Sequence, residues 1–275
     1  MAGISSESLS AALEQLEAKL PTASLQLATE LFGILGTVDS SAGLRRALTD
    51  PSRSGDEKSA LVQQLFGGKV SADAVEIAGG LASMRWASAR DIGDALETLA
   101  ATVVIAVAEN KSAVSASGIT GLEELENDLF VFNRRVASSH EVQSALTDPH
   151  ASAEAKTALA KKLVPGASEE AKLLIAQAVS SPRGLKPSRL VDDFASLAAK
   201  RQQRWIATVS VTRPLTVEQA DRLQAGLNAL YGRELKVNFS VDPALIGGVR
   251  VQVGDEVLDA SVVARLSVLR RQLAG

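Results

Sequence analysis

The stretch Leu48-Thr49-Asp50-Pro51 recurs as Leu146-Thr147-Asp148-Pro149, 98 residues later, and this repeat decides the fold. The offset holds without a gap over residues 27–100, where 24 of 74 positions are identical to their partners. An alanine-rich composition alone does not explain an LTDP motif and a lysine, Lys58 and Lys156, shared in one register. Because a unit of 98 residues is much longer than the roughly 20 to 50 residues of solenoid repeats, the sequence predicts a duplicated domain.

Within each copy the apolar residues have helical spacing. Steps of four, three and four residues place one set on a single helix face that ends near Ser138. This set is Leu125, Leu129, Phe132 and Val136. Further helices are predicted over residues 152–161 and 169–180 and from Ser188 onward. The first copy repeats the plan after a leading helix over about residues 6–19, so we expect two helical bundles, residues 1–105 and 106–203.

The pattern changes after Arg204. Residues 205–212 alternate β-branched with small or polar side chains, which is typical of a strand. Thr216 and Gln219 then form a capping-box pattern. The helix that follows is predicted to turn one face inward: Ala220, Leu223, Leu227 and Leu230.

Two further strands are predicted over residues 236–241 and 249–253, and a closing helix over residues 261–273. These elements make residues 204–275 a small α+β domain of βαββα type. The expected fold class is therefore mainly α, with two tandem duplicated helical bundles followed by this domain.

Composition excludes several classes of function. The 275 residues carry a net charge of −3, so no overall attraction to nucleic acid is expected. No cysteine is present, which excludes disulfides and thiolate metal sites. The longest apolar run, Ala100 to Ala108, is far shorter than the roughly 20 residues of a membrane-spanning helix. We therefore expect no direct membrane insertion.

Few residues are candidates for catalysis, cofactor binding or metal binding. The two histidines, His140 and His150, fall in or near predicted loops, and there is no phosphate-binding glycine motif. Among the acidic residues near the C-terminus, Asp255 and Glu256 look like part of a tight turn, and Asp259 lies where negative charge favours a helix start. The sequence thus predicts no catalytic residue, no bound cofactor and no metal site.

One C-terminal pattern is specific. Residues 241–251 read VDPALIGGVRV and residues 254–261 read GDEVLDAS. This stretch closely resembles the signature of ATP synthase δ subunits and the mitochondrial oligomycin-sensitivity-conferring protein (OSCP). The positions that match are Asp242, Pro243, Leu245, Ile246, Gly247, Gly248, Gly254, Asp255, Asp259 and Ser261. The resemblance covers roughly residues 112–275, and the additional N-terminal bundle is similar to an enlarged actinobacterial form.

The resemblance implies a non-catalytic stator subunit in the peripheral stalk of an F-type proton-translocating ATP synthase. Its implied partners are the N-terminal helices of the α subunits, with β in the catalytic head, and the b-type stalk subunit. It also implies a peripheral position at the cytoplasmic face of the bacterial plasma membrane, with no nucleic acid bound. Which bundle meets the head stays open.

Three alternatives remain at the level of sequence. A helical adaptor of another complex, with the same fold, would bind a helix other than an α-subunit N-terminus. An RNA-binding βαββα module would bind nucleic acid in a salt-sensitive way. An enzyme with an unrecognised carboxylate site would lose activity when Asp255 or Asp259 is neutralised.

Overall fold

The computed structural model describes residues 3–111, 121–203, 206–231, 235–242, 245, 248–253 and 256–259. The chain forms two compact units, Met1–Ala198 and Ala199–Gly275. The first is helical and the second contains a mixed four-stranded sheet. The predicted fold class, mainly α with a small α+β C-terminal domain, is confirmed.

Helices of the first copy follow one another with short connections. They are α1 (Ile4–Glu17), a short 3-10 helix (Leu20–Thr22), α2 (Leu25–Ser40), α3 (Ala42–Thr49), α4 (Gly55–Phe66), α5 (Ala72–Ser83) and α6 (Asp91–Glu109). The second copy supplies α7 (Gly121–Ala137), α8 (His140–Thr147), α9 (Ala153–Leu163), α10 (Glu169–Ser180) and α11 (Pro187–Gln203). In the described part of the chain no helix has the length and apolarity needed to cross a membrane.

The duplication is visible in individual hydrogen bonds. Ser41 caps α3 by accepting from the amide of Leu44, and Ser139 caps α8 in the same way. The LTDP aspartates also match, because Asp50 accepts from the amide of Ser52 at 2.9 Å and Asp148 from that of His150 at 2.8 Å. Each motif therefore ends a short helix and turns the chain toward the next one.

A second matched pair fixes the start of a longer helix. A carboxylate oxygen of Glu30 accepts hydrogen bonds from the amide and hydroxyl of Ser71, which caps α5. In the second copy, Asp128 accepts both bonds from Ser168, which caps α10. The two copies thus use an acidic residue at matching repeat positions to hold an N-cap serine, although Ser71 and Ser168 are 97 residues apart and so stand one position out of the 98-residue register.

Helix α6 joins the two copies. It contacts α1, α2 and α5 of the first copy and α7 and α10 of the second. By the 98-residue offset α1 corresponds to residues 102–115, so the C-terminal half of α6 takes the place of a first helix in the second copy. The predicted boundary between residues 105 and 106 falls inside this helix, where Ile105 and Ala106 are buried. The division at residues 105 and 203 into separately folding parts stays a prediction.

The C-terminal unit begins with the predicted strand–helix–strand order. Its elements are β1 (Ile206–Val211), α12 (Val217–Tyr231), β2 (Lys236–Val241), β3 (Val249–Val253) and β4 (Glu256–Asp259). The strand order is β2-β1-β3-β4, with β1 and β2 parallel and the other neighbours antiparallel. The capping box is confirmed, since Thr216 and Gln219 each accept from the other's amide.

Several details differ from the sequence prediction. Strand β4 was not predicted, and Asp259 is its last residue. Leu230 is exposed rather than inward, while Leu227 is buried and Tyr231 packs at the edge of the core. His140 begins α8, a short helix that the sequence prediction had missed. The closing helix predicted over residues 261–273 lies outside the described residues.

Candidate partner-binding surfaces

The described residues give no support to metal chemistry. Among residues 3–111, 121–203 and the described parts of the C-terminal unit, no group of three or more His, Asp or Glu side chains could hold a metal ion. His150 lies in the turn that follows the second LTDP motif. What the structure offers instead is a set of surfaces and grooves between helices.

A groove lies between α1, α4 and α5 of the first copy. Its volume is about 790 Å³, and its lining mixes aliphatic with polar side chains. The aliphatic lining residues include Ala12, Leu16, Val75, Leu81 and Leu99. The groove is open partly because Gly80, on its wall, has no side chain; a Cβ there would meet only Gln15 Oε1, at 3.6 Å. A cleft of this kind is suited to the apolar face of an added helix.

At one edge of this groove a lysine forms salt bridges with two carboxylates. Lys19 Nζ lies 2.7 Å from Asp73 Oδ1 and 2.9 Å from Glu76 Oε2. Its hydrogen bond to Asp73, followed by that to Glu76, raises the pKa of Lys19 above its ordinary value. Both carboxylates are largely exposed, so the bridge contributes little to stability, but it leaves an acidic edge beside the groove.

A second groove of about 460 Å³ belongs to the second copy, between α7, α8 and the start of α11. It is more polar, and its lining includes His140, Gln143, Thr147 and Lys186. Asn133 lies on its wall. The amide nitrogen of Asn133 donates to Ser188 O at 3.0 Å and to Asp192 Oδ1 at 2.6 Å, which fixes the position of its side chain.

A buried arginine connects the copies. Arg183, in the α10–α11 connection, adopts a left-handed backbone with φ 51°. Its guanidinium bonds to Asp39, Asp94 and Glu97 of the first copy. Gly93 leaves room for this group, because a Cβ there would lie 2.5 Å from Arg183 Nη2. Burial raises the pKa of Glu97 in spite of the opposing effect of Arg183.

The signature residues that the structure describes gather at one end of the C-terminal sheet. The amide of Asp242 donates to Val211 O at 2.9 Å, and the amide of Leu245 donates to Asp242 O at 3.2 Å. Gly248 has φ 86°, a conformation that favours glycine, just before β3. Asp259 pairs in register with Arg250 at the same end of the sheet.

The other signature positions cannot be placed. Pro243, Ile246, Gly247, Gly254, Asp255 and Ser261 lie outside the described residues. A partner-binding role for the signature stays a prediction. Beside its described part, Val241 at the end of β2 is half exposed, which gives this end of the sheet an apolar contact point.

Sequence reasoning did not find the grooves or the role of Arg183. Arg85 and Arg183 match in the repeat, yet Arg85 is exposed and Arg183 is buried. The two positions carry the same residue type, so no local signal separates them. Only the packing of one copy against the other makes the difference.

Known proteins resemble this chain over part or all of its length. The family model described as ATP synthase delta (OSCP) subunit matches residues 101–273. A protein of Pseudarthrobacter chlorophenolicus named ATP synthase subunit delta is 82% identical over 275 residues, covering all of both chains. A protein of the same name from Renibacterium salmoninarum is 67% identical, also over the whole of both chains.

A solved structure of the Toxoplasma gondii mitochondrial ATP synthase hexamer contains a chain that is 20% identical, with a TM-score of 0.35, covering 64% of this chain and 95% of its own. The first copy, which mostly precedes the family-model match, is shared with the full-length bacterial relatives. The chain belongs to the ATP synthase delta (OSCP) subunit family, in an enlarged form with a duplicated helical region.

Proposed function

We propose that the chain is a non-catalytic stator subunit of an F-type proton-translocating ATP synthase. In this role it links the catalytic α3β3 head to the b-type stalk at the cytoplasmic face of the bacterial plasma membrane and so resists rotor torque. The observation that carries the proposal is family membership, with relatives named ATP synthase subunit delta matching over the whole chain.

The architecture suits a connector. A link that resists torque needs large, shape-matched contacts that dissociate slowly, and helix-in-groove docking supplies them without a reactive group. The groove between α1, α4 and α5 is lined by aliphatic and polar side chains, and Lys19 with Asp73 lies at its edge. We infer that it receives an N-terminal helix of an α subunit.

We place the contact with the second partner, the b-type stalk subunit, on the C-terminal unit. The end of the sheet that carries Asp242, Leu245 and Gly248 also presents the exposed side chain of Val241. We infer that this end binds the b-type stalk subunit. Docking of the head on the helical unit and of the stalk on the sheet would place the two contacts on different compact units of one chain.

Filling the groove tests the first contact. Gly80→Leu places a side chain in the groove, where a Cβ meets only the end of Gln15. Gly36→Leu is the matched control, since a Cβ on this exposed helical glycine meets nothing within 4 Å. With purified head complex that lacks this subunit, we expect Gly80→Leu to weaken binding at least tenfold and Gly36→Leu to leave it unchanged.

The same binding measurement separates the alternatives. Equal affinity of the wild-type chain and Gly80→Leu for the head would remove the groove from the contact. If the wild-type chain does not bind the head or the b-type subunit at all, the stator role fails and an adaptor role in another complex takes its place.

A further inference from the structure

The C-terminal sheet has two edge strands that differ in their protection against pairing. In the order β2-β1-β3-β4, β4 is one edge and β2 is the other. Strand β4 has four residues, begins with Glu256 and ends with Asp259, and both short length and charge hinder the pairing of an edge with a further strand. Strand β2 has six residues, and residues 237–241 contain neither a charge nor a proline. Strand β2 therefore lacks the features that keep an edge strand unpaired.

Strand β2 is also open to solvent on both faces of the sheet. Four consecutive residues, 238–241, are exposed, with Phe239 40% and Val241 50% exposed. The register with β1 sets Phe239 beside Val209 and Val241 beside Val211, and both of these β1 residues are buried. The apolar core face of the sheet thus continues past β1 onto an edge that is only partly covered.

The outer side of β2 determines what can cover it. Along a strand the backbone N–H and C=O groups point alternately to the two sides, and β1 bonds to one side of β2 only. Among the described residues no strand pairs with the other side. A row of backbone donors and acceptors of this kind is matched by another extended backbone. The occupant that fits this edge is therefore a strand.

The sequence of β2 is complementary to itself. Residues 236–242 read KVNFSVD, a pattern that is symmetric in polarity about Phe239 and has opposite charges at its ends. In an antiparallel pair of two such strands centred on Phe239, Val237 of one copy stands opposite Val241 of the other, and Asn238 stands opposite Ser240. The same register sets the lysine of one copy against the aspartate of the other. Matched apolar, polar and opposite-charge pairs stabilise antiparallel strands, so the strand that fits β2 best is a second β2.

We propose that two copies of the free chain pair through β2, antiparallel and centred on Phe239, so that two four-stranded sheets join edge to edge. Such a dimer has twofold symmetry, the commonest symmetry of soluble oligomers, and covers the exposed apolar side chains of both edges. The stalk contact inferred above also uses Val241, so this dimer is a state of the chain that has not bound the stalk. The proposal rests on the sheet alone and does not depend on the stator role.

Sedimentation equilibrium of the full-length chain tests the pairing. Phe239→Lys sets two like charges opposite each other at the centre of the proposed pair. The control is Leu258→Lys on β4, the other edge strand, because Leu258 is 36% exposed and stands in register with the buried Val251. We expect the wild-type chain and Leu258→Lys to dimerise alike as the concentration rises, and Phe239→Lys to dimerise more weakly by about tenfold or more.

Two double variants test the register, and they keep the test open if Phe239→Lys fails to fold. In Asn238→Lys/Ser240→Glu each lysine meets a glutamate of the other copy, whereas in Asn238→Glu/Ser240→Glu glutamates meet glutamates. The second variant should dimerise about tenfold more weakly than the first. Both positions are exposed, so the two variants should unfold thermally as the wild-type chain does.

Hydrogen exchange locates the contact. The amides of β2 should exchange more slowly at high than at low concentration of the wild-type chain, because pairing protects the outer side of the strand. In Phe239→Lys this dependence on concentration should disappear.

Several results would overturn the proposal. A wild-type chain that stays monomeric at every concentration would leave no pairing to explain. Equal dimerisation of Phe239→Lys and the wild-type chain would place the contact elsewhere, and equal dimerisation of the two double variants would contradict the register. A monomeric chain whose β2 amides become protected only when the b-type subunit is added would make a strand of that subunit the occupant. Head binding by Gly80→Leu is measured separately, so failure here leaves the stator proposal standing.

Discussion

Arg183 Nε lies 2.6 Å from Asp39 Oδ2, although the two residues are 144 positions apart. The same guanidinium lies 2.6 Å from Asp94 Oδ1 and 3.3 Å from Glu97 Oε2. Arg183 belongs to the second copy and its three partners to the first. One buried side chain therefore ties the two copies together beside their common helix, α6.

Arg183→Ala should destabilise the helical unit by about 2–3 kcal/mol, because it removes the cation beside Asp39 and Glu97 and leaves Asp94 with Arg90 alone, at 3.7 Å. Alanine keeps the Cβ, so the left-handed backbone at this position is not relieved. Arg85→Ala, at the matching exposed position, should change the free energy of unfolding by less than about 0.5 kcal/mol. Both free energies of unfolding can be measured by urea denaturation. The signal is the fluorescence of the buried Trp86, in chains in which Trp205 has been replaced by Phe. Equal effects of the two substitutions would contradict a specific role for Arg183.

Gly93→Ala should also be destabilising, although alanine favours a helix by about 1 kcal/mol over glycine. The added Cβ would lie 2.5 Å from Arg183 Nη2 and 3.1 Å from Asp39 Oδ1, so the guanidinium must move. The net loss should be about 1–2 kcal/mol. In the double variant with Arg183→Ala this loss should disappear, and a loss that persists there would show that Gly93 acts through another contact.

Glu97 should make stability depend on pH. Its folded pKa lies above the ordinary 4.5 because of burial, so the folded state holds this proton more tightly than the unfolded chain does. Its contribution to stability is complete below pH 4.5 and is lost as the pH rises through the raised pKa. The charged groups that face it are Arg183, Asp94 and, through Arg183, Asp39. Glu97→Gln should therefore be at least as stable as the wild-type chain at about pH 7.

The measurement for Glu97 is the free energy of unfolding between about pH 5 and pH 8 for both chains. The difference between Glu97→Gln and the wild-type chain should grow in favour of the variant as the pH rises. A difference that stays constant, or that favours the wild-type chain at neutral pH, would show that the attraction of Arg183 outweighs the effect of burial.

Local patterns predicted much of this fold. The steps between Leu125, Leu129, Phe132 and Val136 indicated one helix face, and all four side chains are buried. A helix was predicted to start at residue 152, and Ser152 caps α9 by accepting a hydrogen bond from the amide of Ala155. These features depend on residues within a few positions of one another, and such short-range physics can be read from the sequence.

Long-range packing could not be predicted in this way. The duplication is plain in the sequence, yet nothing local shows that α6 serves both copies, because a buried helix and a helix at a bundle edge can share the same apolar composition. Leu230 was expected to face inward by its spacing, but its side chain is exposed. Strand β4 has four residues, too few for alternation to indicate a strand.

The candidate binding surfaces also depend on long-range packing that local patterns do not predict. The family signature gave the residues at one end of the sheet, whereas the groove and the exposed Phe130 emerged only from the packing of helices. Phe32 and Phe130 are identical in type and in repeat position, so their different exposure is a property of the assembled fold.

Gly248→Ala tests whether the turn before β3 needs glycine. With φ 86°, an alanine at this position should cost about 1–2 kcal/mol in the C-terminal unit. Gly247, the signature glycine before it, lies outside the described part of the chain. Gly226→Ala on α12 is the control, because a Cβ there meets nothing within 4 Å and alanine should stabilise the helix by about 0.5–1 kcal/mol. Unfolding by calorimetry should then shift in opposite directions for the two variants.

In the proposed stator role, this chain couples the head to the stalk without taking part in catalysis. The most direct measurement is ATP-driven proton pumping by inverted membrane vesicles from which this chain has been removed, with the ATPase rate recorded in parallel. We expect the depleted vesicles to hydrolyse ATP without pumping, and we expect the purified chain to restore pumping when it is added. Full pumping in the absence of the chain, or no recovery when it is added, would contradict it.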